Sequence, residues 1–319
     1  MSLKKSFQNK SKKSDLFLRN QLGRNYSPSR NENPRVATSL STTARCKLTV
    51  GRSFPPPGCA VIQDGDVRST PVSGHLALLV GLLLTDGSVS SKGRGWVIEF
   101  TGKSKELHSL FKKIMRDIFG DVKFTQFRDS RYRDVIKTKV TSKRIGEYLL
   151  TLIPTFRTKQ LENGKFPNSR IPKFVFKLPK IHKIRMLQVM FSCDGSISLW
   201  VVWNKRYGLW EIKKWVKFAC KHPTIRRQVY ALLRELGFEP IIRPENDEVL
   251  LIKKKDIKKF ARTIRFIPSV RVTGDSKNWE GYEKNKVLDI AVRSYEVKQL
   301  ELKKFKTKPE IMAFLKRLA

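Results

Sequence analysis

Two stretches of the chain share a pattern in which a run of apolar residues leads directly into Asp-Gly. The first is LLVGLLLTDGSVS (78–90) and the second is LQVMFSCDGSIS (187–198). Each is typical of a buried helix that ends at an Asp-Gly turn and continues as a strand. Asp86 and Asp194 lie 108 residues apart (194 − 86), about the length of one small domain. The chain is therefore expected to contain two copies of one folding unit.

An aspartate at a helix C-terminus is unfavourable by about 0.3–1 kcal/mol, because the helix dipole places partial negative charge there. Asp-Gly is nevertheless a common turn, and the third copy, Asp64-Gly65, follows a proline-rich run and is interpreted as an ordinary turn. Small residues at Gly81 and Thr85 would let the two helices pack closely. A two-fold arrangement would then place Asp86 and Asp194 side by side. Adjacent carboxylates repel unless a divalent ion lies between them, and Mg²⁺ held in this way promotes phosphodiester cleavage.

The hydrophobic periodicity predicts the same order of elements, αββαββα, after each motif. The predicted fold class is α+β, with duplicated αββαββα repeats related by a pseudo-two-fold axis. We expect a disordered basic N-terminal extension (1–73), a first repeat (74–153), a connector (154–179), a second repeat (180–268) and a basic C-terminal extension (269–319).

The charge of the chain indicates a polyanionic partner. Lys and Arg total 66 against 28 Asp and Glu, a net charge of +38, and nucleic acid is the leading candidate. A membrane is disfavoured, because no apolar run reaches the roughly 18 residues of a spanning helix. The four Cys and four His lack metal-ligand spacing. With no secretory signal visible, we expect an intracellular location, either the cytoplasm of a prokaryote or an organelle matrix.

Both motifs resemble the nonamer of the LAGLIDADG homing endonucleases of the single-chain, two-repeat type. The first, LVGLLLTDG, matches at Leu79, Gly81, Leu82, Asp86 and Gly87. The second, LQVMFSCDG, keeps Leu187, Asp194 and Gly195 but has Val189 where the family prefers Gly. The resemblance covers about residues 75–290. It implies two antiparallel sheets that form a saddle in the major groove of DNA.

The resemblance also implies a metal site that holds two or more Mg²⁺ ions. Asp86 and Asp194 are the implied metal ligands and catalytic acids, with Thr85 and Cys193 as backbone carbonyl donors.

Two lysines are further implied as catalytic residues. Family members often place a Lys after the second strand of each repeat, and EFTGKS (99–104) and KFACKH (217–222) nominate Lys103 and Lys221. The Gln that some relatives carry beside this Lys is replaced here by Gly102 and Cys220.

Alternation along the predicted strands nominates polar and basic side chains that would contact DNA. In the first repeat these are Lys92, Arg94, Arg133, Lys137 and Lys139. In the second repeat they are Asn204, Lys205, Arg206, Lys213 and Lys217.

The implied function is that of an intron-encoded, site-specific endonuclease. Acting as a monomer, it would hydrolyse double-stranded DNA at a long asymmetric target and leave 3′ overhangs. The alternative is a non-cleaving protein of the same fold, either a maturase that binds intron RNA or a DNA-binding regulator. Because both acids are present, the sequence favours cleavage.

Overall fold

The computed structural model describes residues 71–92, 95–129, 134–273, 276 and 278–318. Unless stated otherwise, the findings below concern these residues. The N-terminal extension expected over 1–73 and the Asp-Gly turn at 64–65 lie outside them, apart from the three residues that open the first helix.

The first repeat has the predicted order of elements. It consists of α1 (Pro71–Thr85), β1 (Gly87–Lys92), β2 (Gly95–Gly102), α2 (Lys105–Phe119), β3 (Thr125–Arg128), β4 (Ile136–Thr141) and α3 (Lys143–Leu152). Serine side chains fix the starts of two helices. Ser104 accepts a hydrogen bond from Leu107 N, and Ser142 accepts one from Ile145 N, so each satisfies one of the donors left free at a helix N-terminus.

The second repeat follows the same order after a short extra helix, α4 (Lys173–Lys177). It consists of α5 (Lys180–Asp194), β5 (Gly195–Asn204), β6 (Leu209–Ala219), α6 (Pro223–Glu235), β7 (Ile241–Arg243), β8 (Glu248–Leu251) and α7 (Lys254–Thr263). The sheets have equivalent strand orders, β1-β2-β4-β3 and β5-β6-β8-β7, and every pairing is antiparallel. The predicted fold class is confirmed.

The two motif helices, α1 and α5, pack against each other at the centre of this core. Gly81 of α1 faces α5 so closely that a Cβ atom there would lie 3.2 Å from Met186 Cγ and 3.3 Å from Met190 Cγ. Val189, where the family pattern has Gly, is fully buried. The contact is therefore asymmetric, with a glycine on one helix and flexible methionines on the other.

The glycines after the two aspartates are required by close approach of the backbone. A Cβ atom on Gly87 would lie 2.5 Å from Leu83 Cα, and one on Gly195 would lie 2.4 Å from Phe191 O. Gly195 has extended dihedral angles (φ −97°, ψ 160°), so a left-handed helix cap is not the reason for this glycine. At both positions the chain passes from helix to strand without a loop, which only a residue without a side chain permits.

Residues 269–319, for which the sequence suggested only a basic extension, contain three further helices. These are α8 (Lys284–Arg293), α9 (Gln299–Leu302) and α10 (Lys308–Arg317). α8 packs on α7 and β5, and α10 also contacts β5. The indole of Trp279 donates a hydrogen bond to Leu199 O on the outer edge of β5 (3.0 Å). The C-terminal segment therefore completes the core of the second repeat.

We predict that Gly195→Ala destabilises the protein by about 1–3 kcal/mol, because the added methyl group overlaps the backbone of Phe191. Gly102→Ala is the matched control, since its Cβ would meet only ordinary contacts at 3.9 Å. Thermal unfolding of the parent and both variants measures the difference. Equal melting temperatures for all three proteins would contradict this account of the Asp-Gly junction.

Candidate metal centre and nucleic-acid interface

Asp86 and Asp194 lie at the adjacent C-terminal ends of α1 and α5. Asp86 follows the last residue of α1; its N–H donates to Leu82 O (3.1 Å) and its carbonyl accepts from Thr101 N of β2 (2.9 Å). Asp194 is the final residue of α5, and Gly195 N donates to Phe191 O. Both carboxylates are thus fixed at a junction between a helix and a strand.

Side-chain contacts cross between the two helix ends. The Cys193 thiol, preceding Asp194 on α5, hydrogen-bonds to the Asp86 carboxylate and contacts the Thr85 hydroxyl on α1. Burial and the charge of Asp86 raise the pKa of this thiol well above its usual range, so it remains protonated and can donate. The Thr85 hydroxyl itself donates to Gly81 O (2.9 Å). The expected side-by-side placement of the two motifs is therefore present.

The two carboxyl groups disfavour each other's ionisation. Burial, and to a smaller extent the charge of Asp86, raise the pKa of Asp194 to about 8. The positive charge of Lys284 acts to lower this pKa. Burial also raises the pKa of Asp86, although the hydrogen bond from Cys193 and the charge of Lys284 both act to lower it. A divalent cation would relieve both effects, and carboxylate oxygens are ligands that Mg²⁺ prefers. The donor set therefore fits the predicted metal, although no cluster of three Cys, His, Asp or Glu ligands is formed among the described residues.

Lys284, the first residue of α8, reaches this site and was not found from the sequence. Its buried ammonium group donates to Ser192 O and to Gly195 O, both at 2.7 Å, on either side of Asp194. Burial lowers its pKa, while the charges of Cys193, Asp86 and Asp194 act to raise it. Lys284 therefore holds the turn that carries Asp194 and provides a positive charge beside both acids.

The two predicted catalytic lysines, Lys103 and Lys221, are not buried as Lys284 is. Both are exposed; Lys103 directly follows β2, and Lys221 lies two residues after the end of β6. Lys103 is next to Gly102, where a Cβ atom would lie 3.9 Å from Asp86 Oδ2, and His108 Nε2 lies 3.2 Å from Gly102 O. The end of β2 is therefore close to the metal centre. The catalytic roles of the two lysines remain predictions.

Two of the predicted DNA-contacting residues of the first repeat lie on the face of the sheet away from the core. Lys137 and Lys139 alternate along β4 with buried residues. Lys137 Nζ is 2.7 Å from Asp129 Oδ2, and Lys139 Nζ is 3.1 Å from Glu99 Oε2. The backbone of Lys92 ends β1, but its side chain, together with Arg94 and Arg133, lies outside the described part of the chain.

The second sheet presents its predicted residues in the same way. Lys213 is paired with Trp200 and Lys217 with Ser196, and Asn204 ends β5 on the same face. Lys205 and Arg206 are exposed in the turn between β5 and β6, where Arg206 N donates to Asn204 Oδ1 (3.1 Å).

A cleft of about 700 Å³ extends from the first sheet to Asp86. Its walls come from three parts of the chain. They are the β1 junction (85–90), the facing strands (Glu99, Thr101, Asp129, Val135 and Lys137) and a segment of the connector (155–159). Asp86 is therefore accessible from the polar face of the sheet.

Comparisons with known proteins find partial similarity to this chain. No protein-family model matches it. A DNA polymerase from Thermococcus hydrothermalis is 26% identical over 234 residues, which is 69% of this chain and 13% of the polymerase. A DNA polymerase from Thermococcus sp. (strain GE8) is 27% identical over 136 residues, 42% of this chain and 7% of that polymerase. The chain thus spans only a small part of these relatives.

Solved structures similar to the chain include homing endonucleases bound to DNA. I-DmoI in complex with DNA and Mn is 19% identical, covers 60% of this chain and 97% of its own, and has a TM-score of 0.40. Meganuclease I-SmaMI bound to DNA is 12% identical, covers 75% of this chain and 95% of its own, and has a TM-score of 0.44. These solved structures therefore include the class of protein that the two motifs resemble.

We predict that divalent-ion affinity increases with pH and becomes constant above about pH 8. The reason is that the raised pKa of Asp194 leaves its carboxyl group protonated near neutrality, so an entering cation must displace a proton. Calorimetric titration with Mn²⁺ in two buffers of different ionisation enthalpy measures both affinity and proton release. Asp194→Asn should remove most of the pH dependence, and a flat profile in the parent would contradict the prediction.

We also predict that Lys284→Met destabilises the fold by about 1–3 kcal/mol, because two carbonyl groups lose their buried donor. Removal of the nearby positive charge should also shift the pH profile of Mn²⁺ binding to higher pH. Lys173→Met is the matched control, since Lys173 is the first residue of α4 but is exposed. Thermal unfolding and the same titration test this, and an unshifted profile in a folded Lys284→Met protein would refute the electrostatic role.

Thermal unfolding reports the structural effect of Lys284→Met, and the Mn²⁺ titration reports its electrostatic effect. A loss of stability alone, with the parent's pH profile, would reduce Lys284 to a packing residue.

Proposed function

We propose that the chain is a LAGLIDADG homing endonuclease that cleaves double-stranded DNA with divalent metal. The observation that carries this proposal is the juxtaposition of Asp86 and Asp194: the thiol of Cys193, the residue before Asp194, hydrogen-bonds to the Asp86 carboxylate, and the pKa of each acid is raised. A buried pair of like charges is costly in a purely structural role. The pair is explained if a cation normally lies with it.

Each part of the site has a separate task in this proposal. Asp86 and Asp194, with the carbonyl groups of Thr85 and Cys193, hold the ions. The ions supply an activated water molecule and stabilise the leaving oxygen when bound. Lys284 fixes the orientation of Asp194. Lys103 and Lys221 are proposed to contact the reacting phosphates, because each lies exposed at the end of a strand that leads toward the site.

The two sheets are proposed to position the DNA by contacting its major groove. Lys137, Lys139, Lys213 and Lys217 form basic rows on the faces away from the core, and such rows bind phosphates or guanine edges. The two faces share a serine, Ser88 on β1 and Ser196 on β5, but β1 ends at Lys92, where β5 has the half-exposed Trp200 and continues to Asn204. Non-identical faces favour an asymmetric target. Since both halves lie in one chain, a monomer suffices.

The polymerase matches do not transfer polymerase activity to this chain. They cover 13% or less of each polymerase. We attribute them to an endonuclease segment carried within those chains, as in an intein. An intron-encoded origin for the present protein, and 3′ overhangs as the product of cleavage, remain part of the proposal.

We predict that Asp86→Asn and Asp194→Asn each abolish cutting while preserving DNA binding in Ca²⁺. The amide keeps the shape of the side chain but removes the charge that holds the metal. A plasmid library of randomised targets, incubated with the parent in Mg²⁺, supplies a cleaved sequence for single-turnover cleavage and gel-shift titration. Full cutting by either variant would refute the metal-binding role, and a parent that binds without cutting would favour the maturase or regulator.

A further inference from the structure

The internal repeat extends beyond the last helix of each αββαββα unit. LIPTFR (152–157) follows α3 and FIPSVR (266–271) follows α7, so both have Ile-Pro, a hydroxyl residue, an apolar residue and Arg. The last two residues of the two stretches also share their burial. Phe156 and Val270 are 1% and 3% exposed, whereas Arg157 and Arg271 are exposed. We call residues 153–157 and 267–271 the first and second Ile-Pro segments.

The first Ile-Pro segment forms a wall of the cleft that contains Asp86. Thr155, Phe156 and Arg157 line this cleft opposite Ser88 and Ser90. The backbone of the segment is fixed, because Arg157 N donates to Thr155 Oγ1 (3.1 Å) and Arg157 O accepts a hydrogen bond from Ser169. The Arg157 guanidinium has no hydrogen-bond or ion-pair partner among the described residues. A cation on a rigid wall thus borders one catalytic carboxylate.

The second Ile-Pro segment is attached to the other carboxylate. Ile267 N donates to Ser192 Oγ (2.7 Å), two residues before Asp194. Val270 O accepts from the backbone N–H of Lys284 (2.8 Å), the residue whose side chain reaches the metal centre. The segment is therefore tied to both groups that set the geometry of Asp194.

The guanidinium of Arg271 is also held in place. It donates to Gly281 O (2.7 Å), and Arg271 forms a short antiparallel bridge with Glu283. Four of its five N–H groups remain for a ligand. The two Ile-Pro segments therefore end in arginines at equivalent positions: Arg157 lines the cleft that contains Asp86, and Arg271 ends the segment that is hydrogen-bonded two residues before Asp194.

We propose that Arg157 and Arg271 are positioning residues that each hold the DNA backbone next to the scissile phosphate of their own half. Planar guanidinium groups bind phosphate in a bidentate manner, which fixes orientation as well as charge. The phosphates of a duplex that enters the cleft beside Asp86 would meet the wall on which Arg157 lies. The alternative is that both side chains are merely solvated. The inference rests on the proposed function only in its second test below, which requires cleavage; the first test measures binding alone.

The first test measures phosphate contacts without any need for a specific target. Fluorescence anisotropy with a mixed-sequence duplex in Ca²⁺ gives the slope of log affinity on log salt. Each of Arg157→Ala and Arg271→Ala should flatten that slope by about 0.9, the value for one lost phosphate contact. Arg262→Ala, on the exposed surface of α7, is the matched control and should behave as the parent. Slopes equal to that of the parent for both variants would overturn the inference.

The second test uses the target recovered from the library, with each strand labelled separately. Arg157→Ala should slow single-turnover cleavage of one strand by about tenfold or more, and Arg271→Ala should slow the opposite strand. A general loss of stability would slow both strands alike, so equal slowing by each variant would also overturn the inference. If the parent cuts no target but the salt slopes change as expected, the arginines act in a non-cleaving binder and only the proposed function fails.

Discussion

The close packing of α1 against α5 is the contact on which the site depends, because it brings two carboxylates to one place. Gly81 has no side chain to separate the two helices. Gly87 and Gly195 allow each helix to continue directly into a strand. The aspartates cannot move apart without breaking these junctions. Their repulsion is instead moderated by the Cys193 thiol and by Lys284. Structural packing therefore maintains an electrostatic arrangement that the isolated side chains would avoid.

Most of the fold could be predicted because each repeat carries its own local signals. Amphipathic spacing, alternation and Asp-Gly junctions recur in both halves, and the predicted order of elements agrees with the observed order in each repeat. The C-terminal helices were missed although α8 buries Val287, Leu288 and Ala291 at helical spacing. The high density of Lys and Arg in this region obscured that pattern. Their contact with β5 depends on tertiary packing, which no local pattern reports.

The site was predicted as far as the motifs extend. Asp86 and Asp194 are encoded by a short repeated sequence, so both could be identified from the amino-acid sequence alone. Lys284 could not, because it lies 90 residues after Asp194 (284 − 194) and is the first residue of a helix outside the αββαββα pattern. The Ile-Pro segments could be predicted only in part. Their pattern is visible in the sequence, but its relation to the acids depends on the cleft beside Asp86 and on the Ser192 hydrogen bond.

The two repeats contribute equivalent aspartates, but the positive charge beside both of them, Lys284, comes from the segment after the second repeat. Lys284 begins α8 and is buried in the centre, whereas Lys173 begins α4 and is exposed. A single ammonium group therefore serves both carboxylates, and it is bonded to the backbone on either side of only one of them. Asp194 is held by this lysine and Asp86 by its backbone bond to β2. Since the two acids differ in what fixes them and in what screens them, the cations proposed to bind there would meet two inequivalent positions.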